Sequence, residues 1–283
     1  MIRIISDSST LYSISEGQAN NVDISPLVVN INDKTYMEYE EINSEEFIKL
    51  INDGHVPKSS QPPIGYVLDL YNKYPEDEII NITMADGLSG TYNSACMAKN
   101  MAVNPERIEV INSKTLCGPH RYLVDLAVRL VDKGYSKEEV INEINKAIET
   151  SISFLIPHDF DFLVRGGRIS SIVGKIGSVI KLVPIMTLSE DCKSLVKFSS
   201  KRSFKKAIKK IIEHLIENNI DNNYKIYISH AANLELASEA KDIMSEGIKD
   251  ADIEIKDLSP AFITQGGPSC VAIQVIKKHE ELK

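Results

Sequence analysis

The chain has 283 residues, 43% of them hydrophobic and 25% charged, which predicts a folded protein long enough for two domains and excludes a disordered chain. Its formal net charge of −8 argues against nucleic acid as a partner and allows at most peripheral contact with an anionic membrane. Because no apolar run resembles a signal peptide or approaches the roughly 18 residues of a membrane-spanning helix, we expect a cytoplasmic protein.

The cysteines give no motif for zinc or redox chemistry. Cys96, Cys117, Cys192 and Cys270 are widely spaced and form no C-x-x-C pair. We therefore expect reduced thiols, with no metal and no other cofactor.

The first half of the chain alternates short apolar stretches with helix-like patterns. Buried strands are predicted at residues 2–5, 79–83 and 108–111. Helical spacing of apolar residues predicts helices at 63–74 and 92–103. This order favours a mainly parallel sheet with helical crossovers.

Two capping boxes indicate further helices. Asn43 and Ser136 each stand three residues before a glutamate, Glu46 and Glu139 respectively. A side chain of this type before such a glutamate is typical of a helix N-terminus, so we expect helices to begin at both places.

The pattern changes after about residue 150, and we place a boundary there between a first domain, 1–150, and a second, 151–283. Strands of the second half are predicted at residues 151–156, 184–188, 194–198, 224–229 and 252–258. Helices are predicted at 203–217 and 234–246. A last helix is predicted to begin at Pro268, after two glycines, and to carry the apolar residues Val271, Ile273, Val275 and Ile276.

The segment Gly87-Leu88-Ser89-Gly90-Thr91 lies at the corner between a predicted strand and a predicted helix. A helix N-terminus leaves about four backbone N–H groups without partners and attracts anions, and glycine lets a ligand approach that backbone closely. Ser89 and Thr91 would add hydroxyl donors. The spacing alone favours a tight turn with an ordinary N-cap, so an anion site is one of two interpretations.

An enzyme is an alternative to a binding protein. The corner nearly matches the G-x-S-x-G nucleophile elbow of serine hydrolases, with Thr91 in place of the last glycine. Ser89 would be the nucleophile and would need a histidine such as His230, for which a structural role is favoured. The segment 167–176 does not match a phosphate-binding loop, because its spacing is wrong and no hydroxyl follows Lys175.

Residues 201–210 form a basic segment that includes Arg202. On a helix the apolar residues of this segment share one face and its lysines point outward, which favours a solvated amphipathic helix. A docking surface for an acidic partner or a phosphorylated group is the alternative. DNA binding would need more positive charge around the segment.

Six short motifs, in chain order, resemble those of the DegV family, which includes the fatty-acid-binding subunits of the bacterial fatty acid kinase system. The motifs are Asp7-Ser8-Ser9, Ser59-Ser60-Gln61-Pro62, the segment 87–92, Asn112-Ser113-Lys114, the segment 166–170, and Arg202 with Lys205-Lys206-Ala207. Each motif alone is weak, and their shared order along essentially the whole chain makes the resemblance specific.

The resemblance implies a two-domain α/β carrier that itself catalyses no reaction. The first domain would contain a mainly parallel sheet flanked by helices, and the second a largely antiparallel or mixed sheet with helices. A fatty acid would lie inside, with its carboxylate at the domain junction. A separate kinase protein would phosphorylate the bound acid to an acyl phosphate, in support of phospholipid synthesis.

The resemblance also assigns roles to individual residues. Ser59 and Ser89 would donate hydrogen bonds to the carboxylate, Arg168 would line the head-group region, and Arg202 would help the kinase to dock. The other residues predicted for the ligand site are Ser60, Gly87, Gly90, Thr91, Gln265 and Gly266.

This chain departs from the family pattern at two places. Ala85-Asp86 stands where members read S-S, and Gln265 replaces the histidine of an H-T-G-P-G motif. A carboxylate about 4 Å from the ligand's own would repel it by about 4 kcal/mol at an effective dielectric near 20. We therefore expect Asp86 to turn away from the ligand; the alternative is a lipid with a neutral or protonated head group.

Overall fold

Three β-sheets with flanking helices organise the part of the chain that the computed structural model describes, residues 1–169 and 182–282. The strands are Ile2–Asp7 (β1), Val22–Ser25 (β2), Val28–Ile31 (β3), Lys34–Met37 (β4), Lys58–Ser60 (β5), Glu78–Thr83 (β6), Ile108–Asn112 (β7), Ile152–Ile156 (β8), Val183–Leu188 (β9), Leu195–Lys201 (β10), Tyr224–His230 (β11), Asp252–Asp257 (β12) and Val271–Lys277 (β13). The helices are Ile14–Ala19 (α1), Ser44–Asn52 (α2), Ile64–Asn72 (α3), Thr91–Met101 (α4), Cys117–Asp132 (α5), Lys137–Ile148 (α6), Phe160–Gly166 (α7), Phe204–Glu217 (α8), Leu234–Gly247 (α9) and Pro260–Gly266 (α10). None of these helices has the length and apolar content needed to cross a membrane.

The first sheet has four parallel strands in the order β2-β1-β6-β7. Its central strands are apolar on both sides because helices cover both faces. Ile5 and Ile79 pack with α3 and α4, whereas Ile4 and Ile80 pack with α5 and α6. The prediction of a mainly parallel sheet with helical crossovers is confirmed, and the carboxyl ends of its strands meet at one edge.

The second sheet has the strand order β10-β9-β8-β13-β11-β12. Its neighbouring strands are antiparallel except for the parallel pair β11 and β12, so the predicted mixed sheet is confirmed. Helices α8 and α9 cover one face through a buried cluster that includes Ile208 and Ile243. Helix α5 approaches the opposite face so closely that a Cβ at Gly118 would overlap the ring of Tyr227.

The predicted last helix is wrong, because its apolar residues form strand β13 near the centre of the second sheet. The two glycines end helix α10 instead of preceding a new helix, and Gly267 has the positive φ of 77° that suits a helix C-terminus. Val271 and Ile273 pack beneath α8 and α9, whereas Ile276 packs with α5. A strand buried on both faces lacks alternating polar residues, so its apolar spacing alone does not distinguish it from a helix.

The third sheet, ordered β4-β3-β5, has no counterpart among the predicted elements. Its strands are only three or four residues long, too short to show a clear period of two. Ser59 lies on β5 opposite Val29 of β3. Val29 shares a buried cluster with Phe47 of α2 and Phe262 of α10, so this sheet brings Ser59 beside α10.

Both predicted capping boxes are present: Asn43 with Glu46 precedes α2, and Ser136 with Glu139 precedes α6. Helices α3, α4, α8 and α9 confirm four predicted helices within one to two residues at most ends. The strands of the first and third sheets precede residue 150 and those of the second follow it. The boundary itself stays a prediction.

Candidate functional site

A largely apolar cavity lies where the three sheets approach one another. The empty volume of the cavity, including the space at its mouth that is open to solvent, is about 1040 Å³. Leu27, Met84 and Leu116 follow the carboxyl ends of strands in the first sheet, whereas Leu155 and Leu195 belong to the second sheet. Both halves of the chain therefore contribute hydrocarbon side chains to one cavity, which is typical of a small-molecule site.

Four polar residues of the cavity wall are near neighbours, and we call them the head-group cluster: Ser59, Ser89, Arg168 and Gln265. Gln265 Nε2 of α10 donates a hydrogen bond to Ser59 Oγ of β5, at 3.0 Å. Because the amide is the donor in this bond, the hydroxyl proton of Ser59 is available to a ligand. Ser59 and Gln265 are far apart in the sequence, and the approach of β5 to α10 brings them together.

Ser89 lies at the glycine-bearing corner before α4. Its Oγ is 2.8 Å from Thr91 Oγ1 and accepts a hydrogen bond from Thr91 N at 3.3 Å. The N-cap residue, Gly90, has no side chain to cap the helix. The positive end of the α4 dipole is therefore next to Ser89, an arrangement that favours an anion.

Arg168 is held by backbone carbonyl groups from two segments. Its Nε donates to Leu88 O at 3.1 Å, and its Nη1 donates to Gly166 O at 2.5 Å. Of the described residues that line the cavity, Arg168 alone carries a charge. Its remaining N–H groups can donate to a carboxylate, which adds charge neutralisation to hydrogen bonding.

Two glycines allow close contacts beside this cluster. A Cβ at Gly87 would overlap the backbone of Lys193, in the turn between β9 and β10. A Cβ at Gly166 would overlap the side-chain carbonyl of Gln265. Gly87 therefore lets the turn between β9 and β10 approach the corner at Ser89, and Gly166 makes room for the side chain of Gln265. These contacts explain both glycines without direct ligand contact.

Asp86 turns away from the cavity, as expected, and is not among the residues that line it. Its carboxylate forms an ion pair with Lys193 Nζ, and its backbone N–H donates to Asn112 Oδ1 at 3.3 Å. Burial disfavours the charged carboxylate, but the hydrogen bonds from Lys193 and from Asn112 outweigh that cost and lower the pKa of Asp86. The structure thus neutralises this negative charge close to the predicted anion site.

The remaining predicted site residues occupy different places. Ser60 and Gly266 line the cavity, whereas Gly87, Gly90 and Thr91 do not and stay predictions as ligand contacts. Arg202 is exposed in the turn between β10 and α8. Residues 170–176, which complete the G-G-R-I-S motif and the rejected phosphate-loop match, lie outside the described residues.

Among the described residues, Ser89 Oγ is hydrogen-bonded to Thr91 and not to a histidine, as a serine hydrolase would require. His230, at the end of β11, accepts a hydrogen bond from Asn233 N at 3.2 Å and lies 3.5 Å from Asp257. Within the described ranges, no histidine lines the cavity. His230 therefore has the structural role that the sequence favoured.

Sequence reasoning missed Ser153 and Gln274 as cavity residues. Gln274 is the polar member of a buried apolar strand and is only 2% exposed. Such a residue needs hydrogen-bond partners or a function, so its presence in an apolar run was the available signal.

In this α/β fold, the hydrocarbon walls of the cavity adjoin hydroxyl, amide and guanidinium groups. A family model described as "Uncharacterised protein, DegV family" matches residues 1–278. The chain belongs to the DegV family. It is 31% identical over 277 residues to a DegV domain-containing protein of Staphylococcus aureus (strain N315), an alignment that covers 97% of this chain and 98% of that relative.

Two solved structures are similar along nearly the whole chain. DegV, a fatty acid binding protein from Bacillus subtilis, is 28% identical, with a TM-score of 0.86 over 98% of this chain and 99% of that one. A DegV lipid binding protein from Thermotoga maritima is 26% identical, with a TM-score of 0.84 over 98% of both chains. These similarities confirm the family and the α/β fold that the sequence motifs predict.

Proposed function

We propose that this chain is a carrier that holds a long-chain fatty acid in the cavity, with the carboxylate at the head-group cluster and the acyl chain between the sheets. The observation that carries the proposal is one largely apolar cavity whose described wall residues include a single cation, Arg168, near the hydrogen-bonded pair of Ser59 and Gln265. The Bacillus subtilis relative, itself a fatty acid binding protein, supports it.

Both the acyl chain and the carboxylate of such a ligand contribute to the free energy of binding. Burying an acyl chain contributes about 0.8 kcal/mol per methylene, or roughly 11 kcal/mol gross for about 14 methylenes. Hydrogen bonds to the carboxylate contribute about 1.5–3 kcal/mol each. The tail therefore supplies most of the affinity, and the head-group cluster mainly fixes the orientation of the acid.

We further propose that a separate fatty acid kinase protein phosphorylates the bound acid to an acyl phosphate. The carrier would work in the cytoplasm, without a cofactor and without catalysing the reaction. Arg202 is exposed beside the start of α8, where it can contact an acidic surface of the kinase. This part of the proposal follows the family resemblance of the Arg202 motif.

The ligand is tested by denaturing the purified protein and identifying extracted lipids by mass spectrometry. A long-chain acid in the extract, and stoichiometric uptake of added acid by delipidated protein, are expected. An empty extract together with no uptake would overturn the proposed function.

The kinase step needs its own measurement. The carrier loaded with a fatty acid, a fatty acid kinase and ATP should yield an acyl phosphate, detected as a hydroxamate after hydroxylamine treatment. Arg202→Ala should slow formation of the product while leaving the affinity for the acid unchanged. Equal rates for the two carriers would remove Arg202 from the docking surface.

One observation favours a lipid with a neutral head group as a second candidate. Gln265 Oε1 is buried and, within the described residues, has no hydrogen-bond donor. A carboxylate has no proton to donate to this oxygen, whereas a protonated acid or an alcohol has one. A fatty alcohol that binds as tightly as the acid of equal length, at neutral pH, would support this candidate over the first.

A further inference from the structure

A second polar site lies in the cavity wall, apart from the head-group cluster. It consists of Ser153 on β8 and Gln274 on β13, which are directly opposite each other on adjacent antiparallel strands. Both strands are in the interior of the six-stranded sheet. Gln274 is 2% exposed, so its amide has lost nearly all contact with bulk water.

The hydrogen bonds of Gln274 leave one atom without a partner. Its Nε2 donates to Leu116 O and to Ser153 Oγ, each at 2.9 Å, and these bonds use both amide protons. The carbonyl of Leu116 can only accept, which fixes the orientation of the amide. Gln274 Oε1 is then buried with no donor among the described residues.

This second polar site faces the part of the cavity that we propose holds the acyl chain. Between it and the head-group region lies the next cross-strand pair on the same face of the sheet, Leu155 with Ala272. Leu155 is the residue of that pair that approaches Gly266, next to Gln265. Two residues along a strand span about 7 Å, so Ser153 and Gln274 lie several methylenes along the chain from the carboxylate.

A plain hydrocarbon chain leaves Gln274 Oε1 without a hydrogen bond in a dry environment, which is unfavourable. A hydroxyl group can donate to Gln274 Oε1 and accept from the Ser153 hydroxyl, whose own proton is free because Ser153 Oγ accepts from the amide. One ligand hydroxyl therefore satisfies both polar atoms of the pair.

We propose that the cavity selects acyl chains that carry a hydroxyl group in their interior, recognised by Ser153 and Gln274. The inference rests on the proposed function and deepens it, because it names a subclass of ligand. Ser153 and Gln274 are specificity-determining residues in this account, and the head-group cluster holds the carboxylate of hydroxylated and plain acids alike.

The test uses delipidated full-length protein, one saturated fatty acid and a set of its monohydroxy derivatives, each with the hydroxyl at a different position along the chain. Affinity should peak at an interior position, about tenfold above the plain acid, because one satisfied buried hydrogen-bond pair contributes roughly that factor. Isomers with the hydroxyl beside the carboxylate or at the chain end should bind no better than the plain acid.

Two variants test whether Gln274 and Ser153 cause the preference for hydroxylated acyl chains. Gln274→Met, similar in length and without hydrogen-bonding groups in the amide position, should abolish the peak, measured as the ratio of the affinity for each hydroxy acid to the affinity of the same variant for the plain acid. Ser153→Ala should reduce the peak and leaves Gln274 in place, which keeps the test valid should Gln274→Met fail to fold.

The outcomes separate the two proposals. A flat profile in the unmodified protein, with all acids bound, would overturn this inference alone and would indicate that a water molecule satisfies Gln274 Oε1. A peak that persists in both variants would also overturn it. Failure of every acid to bind would instead overturn the proposed function, and this inference with it.

Discussion

At the residue scale, Gln265 determines how the head-group cluster presents its hydrogen bonds. The amide of Gln265 donates to Ser59, so the hydroxyl of Ser59 is oriented to donate in turn to a ligand. Gln265 is a neutral side chain that does not titrate. For the fatty acid that we propose as the ligand, charge neutralisation would therefore depend on Arg168 and on the N-terminus of α4.

Replacing Ser89 tests the predicted hydrogen bond to the carboxylate. Ser89→Ala should weaken the binding of a long-chain acid by about 1.5–3 kcal/mol, or roughly ten- to hundredfold, measured by titration of delipidated protein. Ser238→Ala, at an exposed position on α9, is the matched control and should not change the affinity. Equal affinity of Ser89→Ala and the unmodified protein would remove Ser89 from the site.

The ion pair between Asp86 and Lys193 should protect the anion site from the carboxylate of Asp86. Lys193→Met leaves that carboxylate without its cation, and two like charges about 8 Å apart repel by about 2 kcal/mol at an effective dielectric near 20. We expect up to about thirtyfold weaker binding of the fatty acid, most pronounced at low salt.

The double variant separates repulsion from structural damage. Asp86→Ser combined with Lys193→Met should restore the affinity, and Asp86→Ser alone should change it less than about threefold, because the charge is already paired. Its stability should fall by no more than about 1 kcal/mol, as is usual for a partly exposed ion pair. Weak binding by the double variant would show that Lys193 acts by positioning the turn and not through its charge.

At the element scale, the sequence predicted strands and helices well where one periodicity dominates. Helix α8 has a clear helical period, β6 is a short apolar run of strand length, and the parallel first sheet follows from the alternation of such elements. Strand β13 was misassigned because, with both faces buried, its apolar spacing also fits a helix, and strand β5 was not predicted because three residues cannot show a period. These failures have the same origin, since tertiary packing decides both elements.

The candidate site was predictable only in part for a related reason. The motif resemblance indicated Ser59, Ser89 and Gln265, which separate segments bring together. The apolar walls were not predictable, because a leucine such as Leu27 or Leu195 has the same local pattern whether it faces a cavity or a packed core. The fold determines which of these residues border empty space.

Gly87 provides a test of how the turn between β9 and β10 packs on the corner before α4. Gly87→Ala should lower the free energy of unfolding by about 1–3 kcal/mol, because its Cβ would overlap backbone atoms of Lys193, which cannot move aside as a flexible side chain can. Urea unfolding measures the difference.

The matched control is Gly65→Ala, on helix α3, where an added Cβ has no atom within 4 Å. This variant should be unchanged or about 0.5 kcal/mol more stable, since alanine favours a helix over glycine. Equal stability of the two variants would contradict the close approach of the turn to Gly87.

At the scale of the whole molecule, a buried carboxyl group joins the first sheet to the helix that bears Gln265. Glu38 Oε1 accepts a hydrogen bond from Ser8 Oγ, after β1, at 2.5 Å, and its Oε2 accepts from Ala261 N of α10 at 2.9 Å. Burial raises the pKa of Glu38 to about 7, although the hydrogen bonds from Ser8 and Ala261 oppose the shift. The contact between the two halves should therefore be sensitive to pH.

A second buried titratable residue in the same region, His120, has the opposite effect to Glu38 on how the stability changes with pH. Its Nδ1 is 2.6 Å from Ser9 Oγ and its Nε2 is 3.0 Å from Ile82 O. Burial lowers the pKa of His120, so the folded state binds its proton less readily than the unfolded chain does. The stability that neutral His120 contributes is present above the ordinary histidine pKa and is lost as the pH falls through and below it.

Glu38 should reduce stability as the pH rises, because the folded state retains a proton that the unfolded chain has lost. Its contribution is fully present below the unfolded pKa of 4.5 and is lost as the pH rises to about 7, which amounts to about 3 kcal/mol. Glu38→Gln removes this titration and leaves the opposite slope of His120, so the stability of the variant should rise with pH across the acidic range.

Urea unfolding from about pH 5 to about pH 8 measures both slopes. Glu40→Gln is the control, because Glu40 is exposed in the same segment and should leave the pH profile of the unmodified protein unchanged. The difference in unfolding free energy between Glu38→Gln and the unmodified protein should shift by about 3 kcal/mol in favour of the variant as the pH rises through this window. A difference independent of pH would show that Glu38 keeps an ordinary pKa and that a charged carboxylate joins the two halves at every pH tested.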